Sequence, residues 1–96
     1  MITKEELRKR RDEINSVAAR YGARDVRIFG SVARGDASDE SDLALIVRFD
    51  PGRSLLDHGA LLMDLRELLG IKVDVIDEGA LSGRFGQIAR QEAEPL

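Results

Sequence analysis

The 96-residue chain has no cysteine, which excludes disulfides and thiolate metal sites and agrees with a reducing cytosol. Its apolar runs are too short to cross a bilayer, and its charged start lacks the apolar stretch of a signal peptide. The P-loop motif Gly-x-x-x-x-Gly-Lys-Ser/Thr is absent, so no site of that kind is supported. We therefore expect a cytoplasmic protein without a membrane partner.

Length and composition favour one small globular domain over residues 1–96. Apolar residues make up 43% of the chain and charged residues 34%, which argues against disorder. The net charge of -3 gives no general reason to expect a nucleic-acid partner. The first helix carries a basic cluster made of Lys4 and the four residues Arg8, Lys9, Arg10 and Arg11. This cluster could attract phosphates or an acidic partner, or it could be only a solvated helix face.

Periodicity predicts alternating helices and strands. A capping-box pattern at Thr3 and Glu6 opens an amphipathic helix that ends near Gly22, with Tyr21 as its anchor on the core. The other expected elements are strands 25–29 and 43–49, a helix from an N-cap at Ser54 to Gly70, a strand over 71–76, and a short helix within 81–93. This order predicts an α/β (α+β) fold, a small mixed sheet with helices packed on one side.

Leucines give the second long helix its apolar face, and we expect them to pack on the sheet. His58, the only histidine, lies in this helix, and we interpret it as structural. The leucines at helical spacing are Leu55, Leu61, Leu62, Leu65, Leu68 and Leu69.

The stretch 29–47 carries the chemistry. The first strand ends at Gly30-Ser31, where a glycine lets the backbone approach a ligand closely and the Ser31 hydroxyl could cap amides that also suit a phosphate. A polar, acidic connection, 35–41, leads to the second strand. Side-chain alternation puts Asp42 and Ala44 on the face toward the Gly-Ser turn and the set 43, 45, 47 and 49 in the core.

This stretch resembles the signature of the polymerase-beta-like nucleotidyltransferases, Gly-Ser, ten residues, then Asp-x-Asp. Gly30 and Ser31 match, and Asp42 matches the first carboxylate, but Ala44 stands where the family has the second. Asp74, on the third strand, matches the third carboxylate. Asp77 and Glu78 are close to it, and a slip of one residue in the strand register would put Asp74 on the opposite face. In particular, the chain resembles the minimal nucleotidyltransferase (MNT) antitoxins that accompany HEPN toxins.

The resemblance implies transfer of AMP from ATP to a tyrosine hydroxyl of a cognate HEPN ribonuclease toxin, with Mg²⁺ as cofactor. It assigns metal binding and catalysis to Asp42 and Asp74, and nucleotide binding to Gly30 and Ser31. We add Arg34 to the nucleotide-binding residues, with a simple surface residue as the alternative. Two ions about 3.5 to 4 Å apart suit such a transfer, and carboxylates two positions apart on a strand can bridge them.

Ala44 removes the bridging carboxylate, so we expect a nearly or wholly inactive site. It is either an engineered Asp-to-Ala change or a natural loss, which would leave a pseudoenzyme that neutralises a toxin by binding. A nucleotidyltransferase that acts on a small molecule or RNA is a third interpretation.

Overall fold

The computed structural model describes residues 2–38 and 42–96, so positions 39–41 of the polar connection lie outside the described residues. Within these two ranges, no helix combines the length and apolar character needed to span a membrane. The elements in chain order are α1 (Lys4–Lys9), α2 (Arg11–Arg20), β1 (Ala23–Phe29), α3 (Ser31–Arg34), β2 (Leu43–Phe49), α4 (Leu55–Leu69), β3 (Val73–Asp77), a 3-10 turn (Glu78–Ala80), α5 (Gly83–Glu92) and β4 (Glu94–Pro95).

The four strands form one mixed sheet in the order β3-β2-β1-β4. β1 pairs antiparallel with β2 and with β4, and β2 pairs parallel with β3. The helix α4 is the crossover connection between β2 and β3. The register between β1 and β2 shifts between Arg24 and Arg27, where Asp25 has a φ of 55°. This β-bulge inserts one extra residue into β1. The predicted α/β fold class is confirmed.

One apolar cluster joins α1, α2, α3 and α4 to one face of the sheet. The side chains alternate as expected on β2, where Leu43, Leu45 and Val47 are fully buried in this cluster. Burial of such side chains stabilises the fold by about 1.5 to 3 kcal/mol each. The largest fully buried members on the helices are Leu7, Ile14, Leu61 and Leu65.

The last helix, α5, lies on the other face of the sheet, so the expectation that the helices pack on one side is wrong for this helix. The ring of Phe85 on α5 meets the ring of Phe29 on β1 edge to face, with centroids 6.2 Å apart. Ile46 of β2 and Ala89 of α5 are both fully buried, although neither belongs to the main cluster. The sequence predicted Ile46 on this face, but it did not predict that Ile46 is completely buried there.

The first helical region is interrupted at Arg10, so the expectation of one continuous helix is wrong. Arg10 has φ -105° and ψ 18°, and its side chain donates a hydrogen bond to the Leu68 carbonyl of α4 at 3.0 Å. No proline or glycine marks this break in the sequence. The predicted cap at Thr3 is confirmed, since its hydroxyl accepts a hydrogen bond from the Glu6 amide at 3.2 Å.

The long helix α4 begins and ends where the sequence predicts. Ser54 and Asp57 form a complete capping box, and Gly70 follows the last helical residue. Leu55, however, is 86% exposed, so its expected packing on the sheet is wrong. It is the first residue of α4, and complete burial on that helix begins only at Leu61.

Part of the basic cluster of the first helices holds the C-terminal segment. Lys4 pairs with Glu94 at 3.0 Å, and Arg8 donates to the Pro95 carbonyl at 3.0 Å. The amide of Leu96, itself buried, donates to the Val26 carbonyl of β1 at 3.2 Å. Lys4, Arg8 and Arg10 therefore have intramolecular partners, whereas Lys9 and Arg11 are exposed.

Side chains from α4 bind two carbonyls of β3. The Leu43 amide of β2 donates to the Lys72 carbonyl, so the carbonyls of Val73 and Val75 point away from β2. Arg66 donates to Val73 O at 3.0 Å, and His58 Nε2 lies 2.7 Å from Val75 O. These contacts agree with the structural interpretation of His58.

Glu78 is the centre of a cluster of arginines. Its carboxylate lies 2.8 Å from Arg27 of β1, 3.0 Å from Arg48 of β2 and 3.7 Å from Arg90 of α5. The hydrogen bond from Arg27 is the largest cause that lowers the pKa of Glu78, and the charges of the three arginines add to it while partial burial opposes it. The cluster therefore joins β1, β2 and α5 through one carboxylate.

Replacement of this carboxylate should lower stability in a pH-dependent way. Because the pKa of Glu78 is lower in the folded than in the unfolded state, its contribution is complete above the unfolded value and is lost as pH falls through the folded value. We expect Glu78→Gln to lower the free energy of unfolding by about 1 kcal/mol at pH 7. Urea denaturation of both proteins between pH 7 and pH 3 should show this difference shrinking below about pH 4. A difference independent of pH would contradict this interpretation.

Candidate functional site

Three residues form a row across one face of the sheet. In the strand register Ala44 lies between Phe29 of β1 and Asp74 of β3. All three side chains lie on the face opposite the main core, since the neighbours on either side of Ala44 and Asp74 are buried in that core. Asp42 comes two residues before Ala44, at the end of the sheet where β1 runs into Gly30-Ser31. The pairing therefore brings the sequence-predicted residues to one end of the sheet.

The Gly-Ser turn depends on an unusual backbone at Gly30. Its φ of 82° and ψ of -148° lie in a region that residues with a side chain rarely adopt. Ser31 then begins α3, and Gly30 is the N-cap residue. The expectation that the Ser31 hydroxyl caps this helix is wrong, because Ser31 lies inside the first turn and makes no such bond within the described part of the chain.

The two predicted carboxylates are accessible and each lies near a cation. Asp42 is 3.6 Å from Lys72, and its side chain is 41% exposed. Asp74 is 3.8 Å from Arg66, and its side chain is 56% exposed. At these separations and exposures the ion pairs are weak, so either carboxylate can exchange its partner for another cation.

The described donors do not complete a two-metal site. Asp42 and Asp74 offer the carboxylate oxygens that Mg²⁺ prefers, but Ala44 presents a methyl group between them. No group of three or more His, Cys, Asp or Glu side chains suited to a metal occurs in ranges 2–38 and 42–96. The residues present therefore do not fit the two-ion arrangement.

The register also separates Asp74 from the acidic residues that follow it. Asp77 accepts a hydrogen bond from the Gly79 amide at 2.9 Å, and Glu78 binds the arginine cluster. Asp74 is thus the acidic residue of β3 that pairs with Ala44.

Arg34 lies on α3, one turn after Ser31. Its guanidinium is 3.3 Å from Asp36 and 3.9 Å from Glu92 of α5. The side chain is 51% exposed, so it remains accessible beside the Gly-Ser turn. Arg34 therefore connects the turn to α5, a contact that the sequence did not indicate.

Sequence reasoning missed that α5 borders the site. Phe85 is 60% exposed and contacts Phe29, the residue directly before Gly30. The weak periodicity of residues 81–93 predicted this helix, but the expected packing of the helices on one side of the sheet put it on the wrong face. Phe85 and Ile88, on which the helix prediction depended, are both exposed, so the sequence pattern held no signal for this placement.

Sequence comparison identifies relatives over most of the chain. A family model described as a nucleotidyltransferase domain matches residues 4–94. A protein of Methanocaldococcus jannaschii, provisionally named a protein adenylyltransferase, is 39% identical over 64 residues, or 67% of this chain and 69% of the relative. The protein adenylyltransferase MntA of Thermococcus cleftensis is 34% identical over 73 residues, or 76% of this chain and 74% of the relative.

A solved structure shares the whole arrangement. It is provisionally named a minimal nucleotidyltransferase, and it superposes with a TM-score of 0.87 at 48% sequence identity. The match covers 99% of this chain and 97% of that chain. The similarity therefore includes α5 and the C-terminal strand as well as the signature stretch.

A side chain added at Gly30 should lower the stability of the protein because of the backbone conformation alone. A Cβ at Gly30 or Gly35 would meet no described atom within 4 Å, so neither position is limited by space. We expect Gly30→Ala to lower the free energy of unfolding by about 1 to 3 kcal/mol, because its φ/ψ region is essentially restricted to glycine. Gly35→Ala, in the left-handed helical region, is the matched control and should cost about 1 kcal/mol. Urea denaturation measures both, and equal costs would contradict the special role of Gly30.

Proposed function

This chain belongs to the nucleotidyltransferase family, and we propose that it is an antitoxin domain built to transfer AMP from ATP to a protein. The acceptor in this proposal is a tyrosine hydroxyl of a cognate HEPN ribonuclease toxin, which the modification silences. The row of Phe29, Ala44 and Asp74 beside the Gly-Ser turn is the observation that carries the proposal. Two relatives named as protein adenylyltransferases support a protein acceptor.

The proposed reaction requires mainly positioning and neutralisation of charge. The phenolic oxygen forms a bond to the α-phosphorus, and the bond from that phosphorus to its bridging oxygen breaks. Pyrophosphate leaves with the electron pair, and the phenolic proton passes to a carboxylate or to solvent. In this scheme the turn at Gly30 and Ser31 receives the triphosphate, and Arg34 lies close enough to neutralise part of its charge.

Ala44 is the reason we propose that the chain has little activity. When Mg²⁺ is bound in this family's sites, it neutralises the charge that develops on the phosphoryl oxygens. Asp42 directly precedes β2 and Asp74 lies on the neighbouring strand β3, and Ala44 between them supplies no oxygen. Loss of one such electrostatic group typically lowers the rate by about 100- to 1,000-fold.

Restoring the carboxylate should restore AMP transfer. We expect Ala44→Asp to raise the rate of Mg²⁺-dependent AMP transfer to the cognate HEPN protein by at least about 100-fold. Ala44→Asn is the matched control, because it has nearly the same shape without the charge, and it should stay inactive. Intact mass spectrometry of the HEPN protein after incubation with ATP and Mg²⁺ detects each added AMP. Absence of transfer by Ala44→Asp, while the two proteins form a complex, would contradict the enzymatic proposal.

A binding antitoxin is the alternative function, and the missing carboxylate at Ala44 favours it. Lys72 and Arg66 lie beside the two carboxylates that remain, in weak and exposed ion pairs. A pseudoenzyme of this kind should form a stable complex with its toxin and protect cells with Ala44 in place, independently of ATP. Protection that appears only with Ala44→Asp would exclude this alternative.

A further inference from the structure

We propose that Phe85 on α5 is the platform on which the base of the bound nucleotide stacks. The inference rests on the proposed function, which places a nucleoside triphosphate at the Gly-Ser turn. It adds a base subsite on an element outside the signature stretch. It also predicts how selective the site is among nucleotides.

The position of Phe85 follows from contacts on the catalytic face. Its ring lies 6.2 Å from the ring of Phe29, at an interplanar angle of 85°. Phe29 is covalently joined to Gly30 and pairs with Ala44, so Phe85 lies directly beside the row that carries the site. This edge-to-face contact uses only part of the side chain, which stays 60% exposed. A large aromatic surface is therefore presented to solvent next to the expected triphosphate position.

Close packing at the start of α5 positions this aromatic surface, and weaker ion pairs lie near the end of the helix. Near its C-terminal end, Arg90 reaches Glu78 at 3.7 Å, and Glu92 lies 3.9 Å from Arg34. Arg90 also donates to the Leu81 carbonyl at 3.2 Å, which fixes the segment that leads into the helix. Gly86 is buried next to Phe85, and a Cβ there would come within 3.1 Å of the Leu81 backbone. The start of the helix is thus closely packed against the Leu81 segment.

The chemistry of phenylalanine fits a base better than a phosphate or a sugar. Its ring offers an apolar π-face and no hydrogen-bond donor or acceptor. Stacking on such a face is worth about 1 to 3 kcal/mol per base and does not depend on base identity, since every base has a π-face. We therefore expect ATP and GTP to bind with similar affinity, and inorganic tripolyphosphate to bind without any contribution from Phe85.

Calorimetric titration tests the platform by comparing ligands with and without a base. The chain is titrated with Mg²⁺-ATP and with Mg²⁺-tripolyphosphate, both as it stands and with Ala44→Asp. We expect Phe85→Ala to weaken ATP binding about tenfold and to leave tripolyphosphate binding unchanged. Phe85→Leu, which keeps apolar bulk against Phe29 but has no ring, should lose most of the same affinity. Ile88→Ala, one turn further along the helix and also exposed, is the matched control and should bind both ligands normally.

A fluorescence measurement gives an independent test. The chain has no tryptophan, so Phe85→Trp introduces a single reporter at the platform. Its emission should change on addition of ATP or GTP and should not change with tripolyphosphate.

The outcomes separate this inference from the proposed function. Equal ATP affinity for the parent chain and Phe85→Ala would refute the platform and leave the nucleotide site intact. Parallel loss of ATP and tripolyphosphate binding would assign Phe85 a purely structural role and also overturn it. If neither ligand binds the parent chain or Ala44→Asp, the nucleotide site itself is refuted and the platform with it. Weaker binding of the HEPN partner by Phe85→Ala, with normal ATP affinity, would assign the ring to the partner instead and refute the platform.

Discussion

The parallel pairing of β2 with β3 is the constraint on which the site depends. Because Leu43 and Val73 are partners and are both fully buried, a shift of one residue would move a buried valine out of the core. The same register sets Asp74 beside Ala44. Hydrophobic burial on one face of the sheet therefore fixes which acidic side chain appears on the other. The position of the candidate site is a consequence of how the core packs.

The sequence predicted the parts of this arrangement that are local to one strand. The bounds of β2 and its buried face follow from side-chain alternation within a short apolar run. The pairing of Asp74 with Ala44 is a contact between two strands, and the pattern of β3 alone left it open to a slip in register. The break at Arg10, the bulge at Asp25 and the placement of α5 depend on partners far along the chain, so the local pattern did not contain them. The roles of Asp42 and Asp74 as metal ligands stay predictions from resemblance.

Ala44 has opposite consequences for stability and for chemistry. A third carboxylate in this position would be repelled by Asp74, its partner on the adjacent strand, and by Asp42, two residues earlier on the same face of the sheet. The cations Lys72 and Arg66 lie close to the two existing carboxylates, one for each. A methyl group at position 44 thus avoids electrostatic repulsion at this end of the sheet, but it offers no oxygen to a cation. Functional sites commonly show this trade-off.

The hydrogen bonds from Arg66 and His58 to β3 have a consequence for assembly. β3 is the outer strand of the sheet, and its outward carbonyls would otherwise be available to the backbone of another chain. Arg66 and His58 occupy the carbonyls of Val73 and Val75, so an added strand would have to displace two side chains that are anchored on α4. The protein thereby protects its exposed edge from intermolecular β-sheet growth, and a partner protein would have to bind by its side chains rather than by extending the sheet there.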